Sequence, residues 1–317
     1  MSKYHHLIAG LPDITLDDSK QVYSVYTFKE EVYKLLSRQD KKLMNLFFLK
    51  YDNQNLLSWL KNPLGTDPSL LDQRGTVSPD EFAELIKAYK DGKKIKTKIP
   101  PYIIELLKAY AKENASTEEV EEGQEQEQEL EDTDKDKEGN DENTQSISWD
   151  DRLAALYYAY AIKKGNNFFS AWFELNLTIK NILTAVTCLK HGLDRNLYII
   201  GSSNISEKLR TSTSRDFNLS DDVEYLPELL RLVEETDLVA REKKIDLLKW
   251  EWLENNTIFK VFNIESVFAY LLKIEMIERW TNLDKTTGEA TFRELISAMK
   301  KDSNAVLNEF KKKNNKI

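Results

Sequence analysis

A single cysteine, Cys188, excludes any disulfide within the chain and fits a reducing compartment. Ten glycines and seven prolines among 317 residues are well below average usage, which disfavours turn-rich sheet architectures. No run of about 18 apolar residues occurs, so no segment is expected to span a bilayer as a helix. Met1 to Gly10 lacks the basic and apolar regions of a signal peptide, which makes the cytoplasm the expected location. Neither a Gly-x-x-x-x-Gly-Lys-Ser/Thr cradle nor a dinucleotide fingerprint is present, so no nucleotide cofactor is expected. Three histidines, His5, His6 and His191, leave little material for a metal site, and none is expected.

What the chain does have is apolar residues at 41% and an abundance of Leu, Lys, Glu and Asn. That composition supports a folded body with a sizeable core, and the expected fold class is all-α. The net charge of −9 is unevenly spread. Glu118 to Glu142 holds 14 carboxylates against two lysines, a balance of −12, which leaves the remainder at about +3. So neutral a body carries no electrostatic footprint for nucleic acid. The acidic stretch has too few apolar residues to offset its ordering entropy and reads as a flexible insertion. Composition therefore divides the chain into an N-terminal helical part (1–112), an acidic linker (113–147) and a C-terminal helical part (148–317).

Helix signals are dense on both sides of that linker. Thr27 with Glu30, and Ser78 with Pro79 and Glu81, have capping-box spacing. Leu43 to Leu49 is apolar nearly all round, as a helix buried between neighbours would be. Trp149 to Ile162 and Phe168 to Lys190 read as consecutive helices, the second apolar on more than one face. Gly201 to Ser220 reads as a polar loop, with Pro227 opening a helix towards Trp252. A last major helix is expected over Ile264 to Leu283, followed by a stop near Gly288 and a short helix capped by Thr291 and Glu294.

Three of these segments share a core. Asn55, Leu56, Leu57 and Leu60 align with Asn181, Ile182, Leu183 and Val186, and Val267, Phe268 and Leu271 repeat the apolar skeleton with Ser266 in place of Asn. Spacings of three and four put each set on one helical stripe, and the pattern suggests three pseudo-repeated helical units. Asn55 and Asn181 are expected to anchor equivalent interhelical contacts, because a buried amide must find partners. Cys188 and His191, three apart, could form a nucleophile pair, but a buried thiol beside a helix end closed by Gly192 explains them without chemistry. The neighbouring carboxylates Glu275 and Glu278 could do acid-base work, but on a helix laced with Lys and Arg, where Arg279 stands four after Glu275, they read as surface salt-bridge partners. Arg215-Asp216-Phe217 could meet a partner or simply pair locally around a buried Phe.

The helix Phe268-Ala269-Tyr270-Leu271-Leu272-Lys273-Ile274-Glu275 resembles the closing segment of the C subunit of V-type and A-type rotary ATPases. That subunit also builds earlier helices on an Asn-Leu core, as here at Asn55-Leu56 and in weaker form at Asn181-Ile182. The whole chain more closely resembles an uncharacterised bacterial family found mainly in Bacteroidetes and associated with their V-type ATPase operons. Leu7-Ile8-Ala9-Gly10-Leu11-Pro12, Leu46 to Asp52, Arg215-Asp216-Phe217 and Glu278-Arg279-Trp280 carry this second likeness.

The resemblance implies a funnel of three helical units with no catalytic role. It would be a central-stalk piece between the rotor shaft and the membrane ring of ion-carrying subunits, serving proton or sodium transport. It would lie at the cytoplasmic face of the inner membrane without spanning it. Asp52, Asn55, Leu56, Asn181, Ile182, Arg215, Asp216, Tyr270, Glu275, Arg279 and Trp280 are the residues expected to carry the repeat or an interface. An adaptor or assembly factor of the same machine is the alternative, and an enzyme using Cys188 and His191 a more distant one.

Overall fold

A computed structural model describes residues 4–16, 23–61, 67–90, 99–125 and 147–283. Among them every regular element is helical and no strand occurs, so the fold is all-α. In chain order the helices are α1 (His5–Ala9), α2 (Val25–Leu35), α3 (Arg38–Lys61), α4 (Pro79–Lys90), α5 (Pro101–Glu125), α6 (Trp149–Lys164), α7 (Asn167–His191), α8 (Arg195–Tyr198), α9 (Asn204–Thr211), α10 (Leu226–Val233) and α11 (Leu238–Thr257). A further helix, α12, covers 264–283.

The chain packs as two compact units. A terminal unit combines Met1–Leu36 with Asp246–Ile317, and a central unit holds Ser37–Ile245. This is a grouping by packing, whereas the three-part division above is one by composition.

In the central unit, α6 and α7 form an antiparallel pair around a tight joint. Asn166 caps α7 by accepting from the backbone N–H groups of Phe168 and Phe169 at 3.1 and 3.0 Å. A Cβ on the preceding Gly165 would lie 2.8 Å from the Ser170 nitrogen, so only glycine allows this approach. Helix α7 buries Phe169, Phe173, Ile179, Ile182 and Ala185 on more than one face, which explains its near-continuous apolar sequence. Each large side chain so buried contributes roughly 1.5–3 kcal/mol. Its end at Gly192, with φ 67°, returns an N–H to the Cys188 carbonyl.

Aromatic hydroxyls tie α3 to α5 and to α6. Tyr102 of α5 donates to Asn53 Oδ1 at 2.8 Å and Tyr157 of α6 to the Leu46 carbonyl at 2.9 Å. Their rings, with Tyr160 and Phe173, make tilted and edge contacts at 5.2–6.3 Å.

In the terminal unit, α2 buries Val25, Phe28 and Val32, while α12 buries Val267, Phe268, Leu271 and Leu272. Glu278 of α12 accepts the Val25 N–H at 2.9 Å, placing a carboxylate where the α2 N-terminus is positive.

Several boundaries differ from the sequence reading. The box Ser78/Glu81 forms reciprocally, each bond 3.2 Å. Thr27 is not a cap, because Ser24 takes that position and accepts the Thr27 N–H at 2.9 Å. Residues 201–220 are less loop-like than their composition suggests, since Ser203 caps α9 within them. The helix at Pro227 ends at Val233 and a separate α11 starts at Leu238. Helix α5 continues past 113 to Glu125. Glu, Gln and Ala favour helix strongly, and each like-charge i,i+4 pair costs only about 0.2–0.5 kcal/mol, so repulsion does not end it there. The rest of the acidic run, together with Gly288, Thr291 and Glu294, lies outside the described residues.

Candidate functional site

Asn55, 3% exposed on α3, uses its amide on one residue of the loop that follows. Nδ2 donates to the Asp72 carbonyl at 3.0 Å and Oδ1 accepts the Asp72 N–H at 2.8 Å. A single side chain thus satisfies both backbone groups of a residue outside any helix. On α7, Asn181 does the same to Ile200, donating to its carbonyl at 2.7 Å and accepting its N–H at 3.1 Å. Asn181 is 1% exposed. The two amides make the same pair of loop bonds, and Asn181 adds an interhelical one, donating to the Ser206 hydroxyl of α9 at 3.3 Å. Leu56 and Ile182, the residues after each Asn, are fully buried.

Around Asn55 the loop is held by charge. The Asp52 carboxylate, one turn earlier and 1% exposed, accepts the Thr76 N–H at 2.9 Å, the Thr76 hydroxyl at 2.5 Å and the Val77 N–H at 3.2 Å. A Cβ on Gly75 would stand 2.2 Å from Asp52 Oδ1, so the close approach of loop and carboxylate needs glycine. Arg74 grips Asp72 through Nε and Nη2 and lies 4.3 Å over the Tyr51 ring. Around Asn181 the supports are different. The Ser206 hydroxyl donates to the Ile200 carbonyl at 3.0 Å, and Arg210 spans the carbonyls of Ile199 and Gly201 at 2.8 and 2.6 Å.

Ser266 does not form a third amide-like clamp. Its hydroxyl donates to the Lys260 carbonyl, 2.6 Å away and before the helix, and the segment after α12 lies outside the described residues.

Arg215 and Asp216 part company. Arg215, with a side chain 92% exposed, meets Glu234 at 3.2 Å, whereas Asp216 organises its own turn. It accepts from the Ser214 and Ser220 hydroxyls and from the Asn218 N–H, and these bonds hold its carboxyl down at about 2. Phe217 is buried with φ 54°, and Asn218 follows with φ 57°.

In the terminal unit, Arg279 and Trp280 converge on Asp246, a carboxylate 2% exposed on α11. The indole N–H donates at 2.8 Å and the guanidinium pairs with the same oxygen. Asp246 escaped the sequence reading because nothing local marks it; its partners lie more than thirty positions away. Glu275 is half-buried on α12. The Tyr270 hydroxyl is buried without a hydrogen-bond partner among the described residues, beside a cavity of about 230 Å³ that Asp13 and Lys273 also line. Burial, with the charge of Asp13 added, raises it to about 12.

The proposed nucleophile pair fares poorly in this geometry. Burial raises the Cys188 thiol, the opposite of what an activated thiolate needs, and His191 is exposed beyond it. His5 stacks on Phe262 with centroids 3.9 Å apart.

A family described as "Protein of unknown function (DUF2764)" matches residues 1–303. This chain belongs to the DUF2764 family. No curated protein and no solved structure matches it. Both clamps, the 214–220 turn and the Asp246 cluster fall inside the span shared with DUF2764. Among the described residues of this DUF2764 protein, no group of three or more His, Cys, Asp or Glu could hold a metal ion. Nor is any described helix long and apolar enough to cross a membrane.

Proposed function

We propose that this protein is a non-catalytic central-stalk subunit of a V/A-type rotary ATPase, coupling the rotor shaft to the membrane ring that carries protons or sodium ions. The observation that carries the reading is the shared wiring of Asn55 and Asn181, each locking the loop after its helix by both backbone groups of one residue. A repeated helix-plus-pinned-loop module is what the likeness to the C subunit calls for. It also supplies what a torque-bearing joint requires, loops as firmly fixed as the helices between them.

The assignment is tested by purifying the intact ATPase through a tag on this chain. Stoichiometric recovery of shaft and ring subunits, with no nucleotide hydrolysis by the isolated chain, is the expected result. A chain that stays apart from the shaft subunits under native conditions overturns it. Recovery only with immature complexes assigns the protein to assembly instead.

A further inference from the structure

The central unit contains an open groove of about 700 Å³ between one face of α3, one face of α6 and the segment entering α5. Gln39, Lys42, Leu43, Leu46 and Leu49 fall on a single stripe of α3, so the groove follows about 15 Å of that helix at 1.5 Å per residue. Helices α3 and α6 run antiparallel here: Tyr157 bonds Leu46, while Lys61, further along α3, meets Asp150, further back on α6, at 3.3 Å. That direction brings Lys164, at the end of α6, to the same end of the groove as Lys42. Both lysines are exposed, and neither makes an ion pair among the described residues. The rest of the groove is mainly apolar, floored by Leu46 and Leu49 and walled by Ile99 and Pro100, with Tyr160, Asn45 and Thr76 also in its lining.

We propose that this groove docks a short amphipathic helix of a partner protein, acidic in its first turn and apolar on the face below. Charge complementarity selects the occupant. Two unneutralised ammonium groups at one end favour carboxylates, and an acidic first turn also suits the helix's own positive N-terminus. Below them, leucine-sized side chains at i, i+3, i+4 and i+7 match the length of groove that runs over half-buried Leu43 and the buried floor of Leu46 and Leu49. The proposal rests on the groove alone and holds whether or not the chain is a stalk subunit.

The test uses the full chain and a fluorescein-labelled synthetic peptide of about three helical turns, with two aspartates in the first turn and leucines at those four positions. Anisotropy should show saturable binding that weakens with salt. A matched peptide with lysines for the aspartates should bind poorly. The double variant K42E/K164E should bind the acidic peptide about tenfold less tightly and recover affinity for the lysine peptide. Leu43→Asp, which leaves both lysines in place, should also reduce binding, and circular dichroism confirms that each variant is folded.

Absence of binding, equal binding of both peptides, or no change in the double variant overturns the proposal. So does saturable binding of laurate in place of the peptide, which would assign the groove to a single-chain lipid. A concentration-dependent rise in mass that blocks the peptide would assign it to a second copy of the chain, with the same effect.

Discussion

The two amide clamps make the same pair of backbone bonds in different surroundings. At Asn55 the captured residue, Asp72, is partly exposed and its loop is gripped by an acid and a guanidinium, Asp52 and Arg74. At Asn181 the captured residue, Ile200, is 6% exposed, and its supports are a buried hydroxyl and one arginine, Arg210, bonded to two backbone carbonyls. The carboxamide is the one side chain that donates and accepts side by side, so it suits both loops whatever surrounds them. Solvent access, rather than the bonds themselves, should then set how much each clamp is worth.

The largest effect is expected where charge is buried. Asp52→Ala leaves three donors of the 76–77 segment without their acceptor and should cost about 3–4 kcal/mol in urea unfolding. A loss under about 1 kcal/mol would show that water replaces the carboxylate there. Asn181→Ala follows at roughly 3 kcal/mol, because the Ile200 N–H loses its acceptor in a dry setting and its carbonyl keeps only the Ser206 hydroxyl. Asn55→Ala should cost less, about 2 kcal/mol, since water can reach Asp72. Equal losses for the two would mean that solvent access is not what separates the clamps.

The smallest effect concerns Asp216 in the turn near the second clamp. Its folded value of about 2 lies below the ordinary 3.8, so its contribution is complete above about pH 4 and disappears as pH falls towards 2. Amide exchange in residues 214–220 should accelerate across that window, and Asp216→Asn should remove the dependence. An unchanged pH profile in the variant would assign the effect to other carboxylates.

Much of the architecture was legible because it is written at helical spacing. Ser78 and Glu81 announce their box, Gly192 its helix end, and the apolar stripes of α7 and α12 their burial. Asn55 and Asn181 stood out by position, yet their partners did not, since a loop captured 17 or 19 residues later leaves no periodic trace. Gly75 gave no sign of the carboxylate that crowds it. Ser24 displaced Thr27 as a cap because both residue types cap well and their three-residue offset lets either serve. Asp246 was the most hidden of all, an acid within a charged helix whose partners, Trp280 and Arg279, arrive from more than thirty residues away.

Phe217 and Asn218, consecutive residues in the left-handed region, carry a kinetic consequence. Phe217 disfavours that backbone in isolation by roughly 1–2 kcal/mol, whereas Asn218 tolerates it, so the local Asp216 bonds are largely offset when the segment turns early. The seating of the Phe217 ring, 1% exposed when in place, adds the larger stabilisation. This bend should therefore close after the rate-limiting barrier: truncating Phe217 would hasten unfolding while leaving the folding limb of the chevron nearly where it was.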